Sequence, residues 1–65
     1  MERQEFERWI NKDTNVLVHL IPRAGTTWIE EGIITELFSD DWFRIEFKGC
    51  SNEWHLDQVD RVEVI

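Results

Sequence analysis

Between Val16 and Val64 the chain runs through five short stretches of β-type sequence, each set off from the next by turn residues. Val16 to Ile21 is the first, and Trp28 to Phe38 a longer second one interrupted at Gly32. Trp42 to Phe47 is the third, Glu53 to Leu56 the fourth and Val59 to Val64 the fifth. Short apolar runs of period two, punctuated this often, predict consecutive strands and leave no room for a helical bundle. In the third run Phe43, Ile45 and Phe47 alternate with Trp42, Arg44 and Glu46, which assigns the first set to a core and the second to an outer face. Val16, Val18 and Leu20 share one face of the first run and Leu17, His19 and Ile21 the other, so that strand is expected to be central or covered. Gly32 inside a strand pattern predicts a bulge or a tight bend. Pro22 to Gly25, Ser39 to Asp41 and Lys48 to Asn52 are read as loops, and Asp57-Gln58 as a short turn. The expected core is Val16, Val18, Leu20, Ile34, Phe43, Ile45, Phe47, Leu56 and Val62, joined by Trp9 and Trp54.

Ahead of the strands, Phe6, Trp9 and Ile10 form one apolar stripe with charged residues around it, which predicts a helix over residues 2–11. The run Asn11 to Asn15 is turn chemistry and ends it. A helix this short is stable only against another surface. The expected architecture is one mainly β domain over residues 1–65, a small five-stranded antiparallel barrel (15–65) of SH3 or Sm type with a short N-terminal helix. A chain of 65 residues buries only about 60% of its unfolded surface, so four Trp and four Phe matter to its stability. The single cysteine, Cys50, excludes an intramolecular disulfide, and no zinc-type ligand set is present. Those features, with no apolar run near the ~18 residues of a membrane span and no signal-peptide pattern, predict a cytoplasmic protein.

The net charge of −7 resides in residues 24–65, where ten acids face three bases, while residues 1–23 are balanced. That sign opposes the phosphate attraction on which most nucleic-acid binding rests. His19 and His55 have no cysteine or nucleophilic serine at motif spacing, and Glu30-Glu31 and Asp40-Asp41 lack the loop spacing of a calcium site. Lys48 beside Cys50 is a weak basis for an activated thiol. No enzyme activity, metal or cofactor is therefore expected. The outward residues are more informative. Trp42 is out of phase with the core set and neighbours Asp40 and Asp41, and Trp28 opens the second strand. Tryptophan and arginine anchor interfaces more often than other types. Trp28, Asp40, Asp41, Trp42, Arg44 and Glu46 are therefore the candidate partner-binding residues.

Phe6 to Ile10, Val16 to Leu20, Gly32-Ile33-Ile34, Asp41 to Ile45 and Trp54 to Val64 together resemble the Sm-like family, particularly its Hfq branch. That resemblance covers nearly the whole chain as a pattern of residue types, and it implies a small barrel able to assemble as an RNA-binding ring. Hfq's tyrosine-lysine-histidine signature is absent, the closing segment reading Glu53-Trp54-His55-Leu56-Asp57-Gln58-Val59. This segment is also similar to the Rof family, acidic Sm-like inhibitors that bind the termination factor Rho. The shape is similar as well to Tudor and SH3-like readers. Charge and resemblance together predict a non-enzymatic protein-binding regulator that docks on the basic surface of a nucleic-acid-handling protein. The alternative is an Sm-like RNA-binding homo-oligomeric ring, with Arg3, Arg8, Lys12 and Arg23 supplying its positive patch.

Overall fold

Glycine 32 sets the geometry of the sheet. In the computed structural model, which describes residues 1–10 and 13–65, five strands run β1 (Val16–Leu20), β2 (Ile29–Leu37), β3 (Trp42–Phe47), β4 (Cys50–His55) and β5 (Val59–Val64). They form one antiparallel sheet in the order β4-β3-β2-β1-β5. The first half of β2 pairs with β1, ending at Val16↔Gly32, and the second half pairs with β3, starting at Ile33↔Glu46. Gly32 stands at this handover with φ +153°, and a Cβ there would run into the Glu46 carbonyl. Only glycine lets β3 approach so closely at this φ. A register shift between Ile34 and Glu36 adds to the bend. β4 and β5 lie at the two edges, and the sheet is not closed.

The turns follow their φ requirements. Ala24 and Gly25, and again Lys48 and Gly49, have φ between 50° and 82°, the paired positive values of a two-residue type I′ hairpin. The second hairpin corrects the expected loop from Lys48 to Asn52: the turn is Lys48-Gly49 alone, and β4 begins at Cys50 rather than Glu53. Between β2 and β3, the Phe38 amide donates to the Trp42 carbonyl and the Asp41 amide to Phe38, with Asp41 at φ 69° closing a three-residue loop. Leu56–Gln58 forms a 3₁₀ turn between β4 and β5. His55 caps it: its Nδ1 accepts from the Asp57 amide while Gln58 Oε1 accepts from the His55 amide.

The helix is shorter than its stripe predicts. α1 spans Arg3–Glu7, and Arg8 and Trp9 form a turn before Ile10 makes a parallel bridge to Ile34 on β2. Ile10 thereby takes a position along β2 beyond the end of β1, so backbone pairing to the sheet replaces the last helical turn. Of the expected turn Asn11 to Asn15, Asn11 and Lys12 fall outside the described residues, and Asp13-Thr14 is a bend. Phe6 is fully buried with its ring 4.6 Å from that of Phe43, an aromatic pair that pins the helix to the inner face.

Phe6, Val16, Val18, Leu20, Ile34, Phe43, Ile45, Leu56 and Val59 make the core. Four expected members differ: Trp9 and Trp54 are half-buried and pack against this core from outside, and Phe47 and Val62 depart as well. Phe47, at the strand end with the Lys48 ammonium 5.2 Å from its ring, is half-buried. Val62 is half-buried as well, and Val59 is fully buried. Plain alternation would put Val59 and Val62 on opposite faces. An irregularity opposite His19 and Leu20 leaves Asp60 unpaired and turns both valines inward.

Candidate functional site

The outer face of β2, β3 and β4 carries most of the candidate residues. Trp42 is 41% exposed and stands opposite His55, whose ring meets it edge-on at 5.3 Å. Phe38, Ser39, Asp40 and Glu53 border the same shallow depression. The indole is thus supported on one side by imidazole and open on the other.

Arg44 lies two pairs further along, opposite Glu36 on β2 and Glu53 on β4. Its Nη1 donates to Glu36 Oε1 at 2.9 Å, and its Nη2 and Nε donate to Glu53 Oε2 at 3.0 and 3.3 Å. Its guanidinium carbon sits 5.4 Å from the centre of the Phe38 ring. The Glu53 hydrogen bond raises the Arg44 pKa above its ordinary value, with partial opposition from desolvation and further support from the charges of Glu36, Glu53 and Glu46. An acid-base-acid row across three strands leaves Arg44 fully engaged at the surface, where solvent and salt screen such pairs. This base is therefore part of the face's framework and not a free anchor for a partner.

The two aspartates of the β2–β3 turn have separated roles. Asp41 Oδ1 accepts from Arg3 Nη1 at 2.8 Å, and the same nitrogen donates to the Phe38 carbonyl. Asp41 thus ties α1 to the turn. Asp40 has no ion pair among the described residues and is exposed beside Trp42. Glu46 is exposed on the outer side of β3, opposite Ser51 and Ile33.

Trp28 belongs to a different place. It is 54% exposed, and its indole donates to Glu30 Oε1 at 2.7 Å, while Glu30 Oε2 accepts from the Asn52 amide on β4. It lines a cleft of about 470 Å³ with Leu20, Ile21, Trp54 and Gln58, between the β1–β2 hairpin and the β4–3₁₀ segment. The Trp54 indole nitrogen is buried without a partner among the described residues. The structure thus gathers Trp42, Asp40, Arg44 and Glu46 on one face and puts Trp28 with Trp54 in a separate cleft.

His55, Glu53 and Phe38 at the Trp42 depression, and Trp54, Leu20 and Ile21 at the cleft, were not expected as site residues. Their positions depend on the β3–β4 register, which the two-residue turn at Lys48-Gly49 fixes. Reading Lys-Gly as a type I′ pair would have placed His55 opposite Trp42. Elsewhere His19 Nε2 meets Glu63 Oε1 at 2.5 Å across β1 and β5, a half-buried contact between strands. Among the described residues no three histidine, cysteine or acidic side chains converge as a metal site, and no helix is long and apolar enough to cross a membrane. Comparison with family models, with curated proteins and with solved structures gave no match.

Proposed function

We propose that this chain is a small, acidic, non-enzymatic protein-binding regulator that docks the outer face of β2–β3–β4 on the basic surface of a cytoplasmic nucleic-acid-handling protein. In this reading the bent sheet is an SH3- or Sm-type barrel left open between β4 and β5. One observation carries it: an exposed Trp42 bordered by Asp40 and Glu53, with Asp40 there and Glu46 further along the same face of β3 outside any ion pair among the described residues, and Arg44 already held by two carboxylates. An aromatic ring in a field of one sign suits a partner recognised first by charge and then by burial. The likeness of the closing segment to the Rof family supports a nucleic-acid-handling partner.

The alternative, an Sm-like RNA-binding ring, draws on the two unpaired edges β4 and β5. Affinity capture from native lysate, with and without nuclease, separates the two. The regulator reading expects a basic protein retained after nuclease by the parent chain and lost with Trp42→Ala. Recovery of RNA, together with a multimeric sedimentation coefficient, would replace it with the ring.

A further inference from the structure

The free edge of β4 lies between the two recesses, and its backbone is accessible. Leu56 donates to the Asp41 carbonyl, and the Phe47↔Cys50 pair closes a two-residue turn. Antiparallel pairing alternates, so Cys50, Asn52 and Trp54 bond to β3 while Ser51 and Glu53 turn their N–H and C=O groups outward. The next outward amide, that of His55, is already taken by Gln58 Oε1. β4 carries no proline, lysine or bulge to discourage pairing, and its one charge is Glu53. The edge therefore offers two residues of unpaired ladder, ending at a defined point.

The flanking side chains indicate what would pair there. On an added antiparallel strand, residues opposite Ser51 and Glu53 point to the outer face, and the residue opposite Trp54 points to the inner one. The outer positions meet acids. Ser51 is small and stands beside Glu46, and Glu53 uses only Oε2 toward Arg44. The inner position meets the cleft whose apolar walls are Trp54, Trp28, Leu20 and Ile21, and which Arg23 and Asp57 also line as a pair of opposite charges. A second copy of this chain fits poorly by either of its free edges: β4 would bring its own Glu53 toward these acids, and β5 would bring Asp60 and Glu63 against a single base, Arg61, that already faces Glu63. We infer that β4 accepts an extended cationic segment of the partner as a sixth, antiparallel strand, with basic side chains opposite Ser51 and Glu53 and an apolar one opposite Trp54. This inference rests on the regulator reading and specifies how the partner is held. Main-chain bonds would supply affinity and the two recesses selectivity.

The test uses the intact chain and the capped peptide Leu-Arg-Leu-Arg-Leu. By two-dimensional NMR, the peptide should slow hydrogen exchange at the Ser51 and Glu53 amides and shift the Trp54 indole signal. N-methylation of its two arginine amides, which face β4 in this register, should weaken binding about thirty-fold. N-methylation of the central leucine, which faces away, should leave affinity within about three-fold. Absence of binding, unprotected Ser51 and Glu53 amides at saturation, or equal sensitivity to both methylations would overturn the inference. So would protection that appears without peptide as protein concentration rises, since the edge would then belong to a second copy. Ser51→Pro removes no ladder bond to β3 and blocks the edge. If a folded Ser51→Pro chain captures its basic partner as well as the parent does, the β4 inference fails while the regulator reading stands. If the parent captures no protein at all, it is the regulator reading that fails.

Discussion

Two residues test the packing directly, Ile45 and Gly32. Ile45 is 2% exposed and pairs with buried Ile34 across β2 and β3, so nothing at the surface can relieve a void left there. Ile45→Ala should cost roughly 2–5 kcal/mol, a large fraction of the total for a domain this size. Chemical denaturation monitored by tryptophan fluorescence checks it, and an unchanged midpoint would remove Ile45 from the core. Gly32 and Gly49 both have positive φ, but their surroundings differ. A Cβ at Gly49 meets nothing within 4 Å, whereas one at Gly32 collides with the Glu46 carbonyl of β3. Gly49→Ala should therefore carry only the left-handed penalty of about 1–2 kcal/mol. Gly32→Ala should cost more, because a paired backbone must move as well. Equal losses for the two would mean that β3 yields freely at this point.

At the scale of elements, the five-residue helix has no stability of its own and is held by Phe6, the Ile10 bridge to Ile34 and the Arg3–Asp41 contact. Phe6→Ala should cost about 3–5 kcal/mol and release the helix. Arg3→Ala removes a half-exposed ion pair and one bond to a carbonyl, and should cost about 1 kcal/mol or less through the pair itself. Comparing the two melting curves ranks burial against charge as what docks the helix. The sequence made the strands legible because alternation is strict where one face is buried: β3 runs Trp42–Phe47 as its pattern predicts, and β5 keeps its expected ends. Alternation was uninformative where the chain departs from it. Val59 joins the core through an irregularity at Asp60, and β4 begins in the polar run Cys50-Ser51-Asn52, held by a turn whose signal is φ rather than hydropathy. The outward direction of Trp42 followed from the pleat alone. Its neighbours His55 and Glu53 did not, because they arise from cross-strand register, and the separation of Trp28 from Trp42 arises from the bend at Gly32.

For the whole molecule, the governing quantity is a charge of −7 with its acids concentrated on the strands. Phosphate binding should be absent: a fluorescent RNA or DNA oligomer at ~0.15 M salt should show no submicromolar association, because screening weakens repulsion without creating attraction. Tight binding that falls steeply with salt would favour the ring. The same charge makes the protein partner testable by kinetics. Asp40 beside Trp42 and Glu46 further along the same face of β3 are exposed acids, whereas Asp41 holds Arg3 and is a poor choice for substitution. Long-range attraction acts before contact, so neutralising Asp40 and Glu46 together (Asp40→Asn with Glu46→Gln) should slow association and flatten its salt dependence, leaving dissociation nearly unchanged. Trp42 acts after contact, because only a docked partner covers the open side of the indole. Trp42→Ala should therefore speed dissociation, at about 2 kcal/mol or more for a buried anchor, and leave association nearly unchanged. Surface plasmon resonance against the captured partner, across a salt series, resolves the two effects. His55 must stay in place in both variants, which matching circular dichroism and melting temperatures would verify, since it both supports the Trp42 ring and caps the 3₁₀ turn. If the folded Trp42→Ala chain dissociates no faster than the parent, the indole is only a surface side chain, and the partner is held elsewhere.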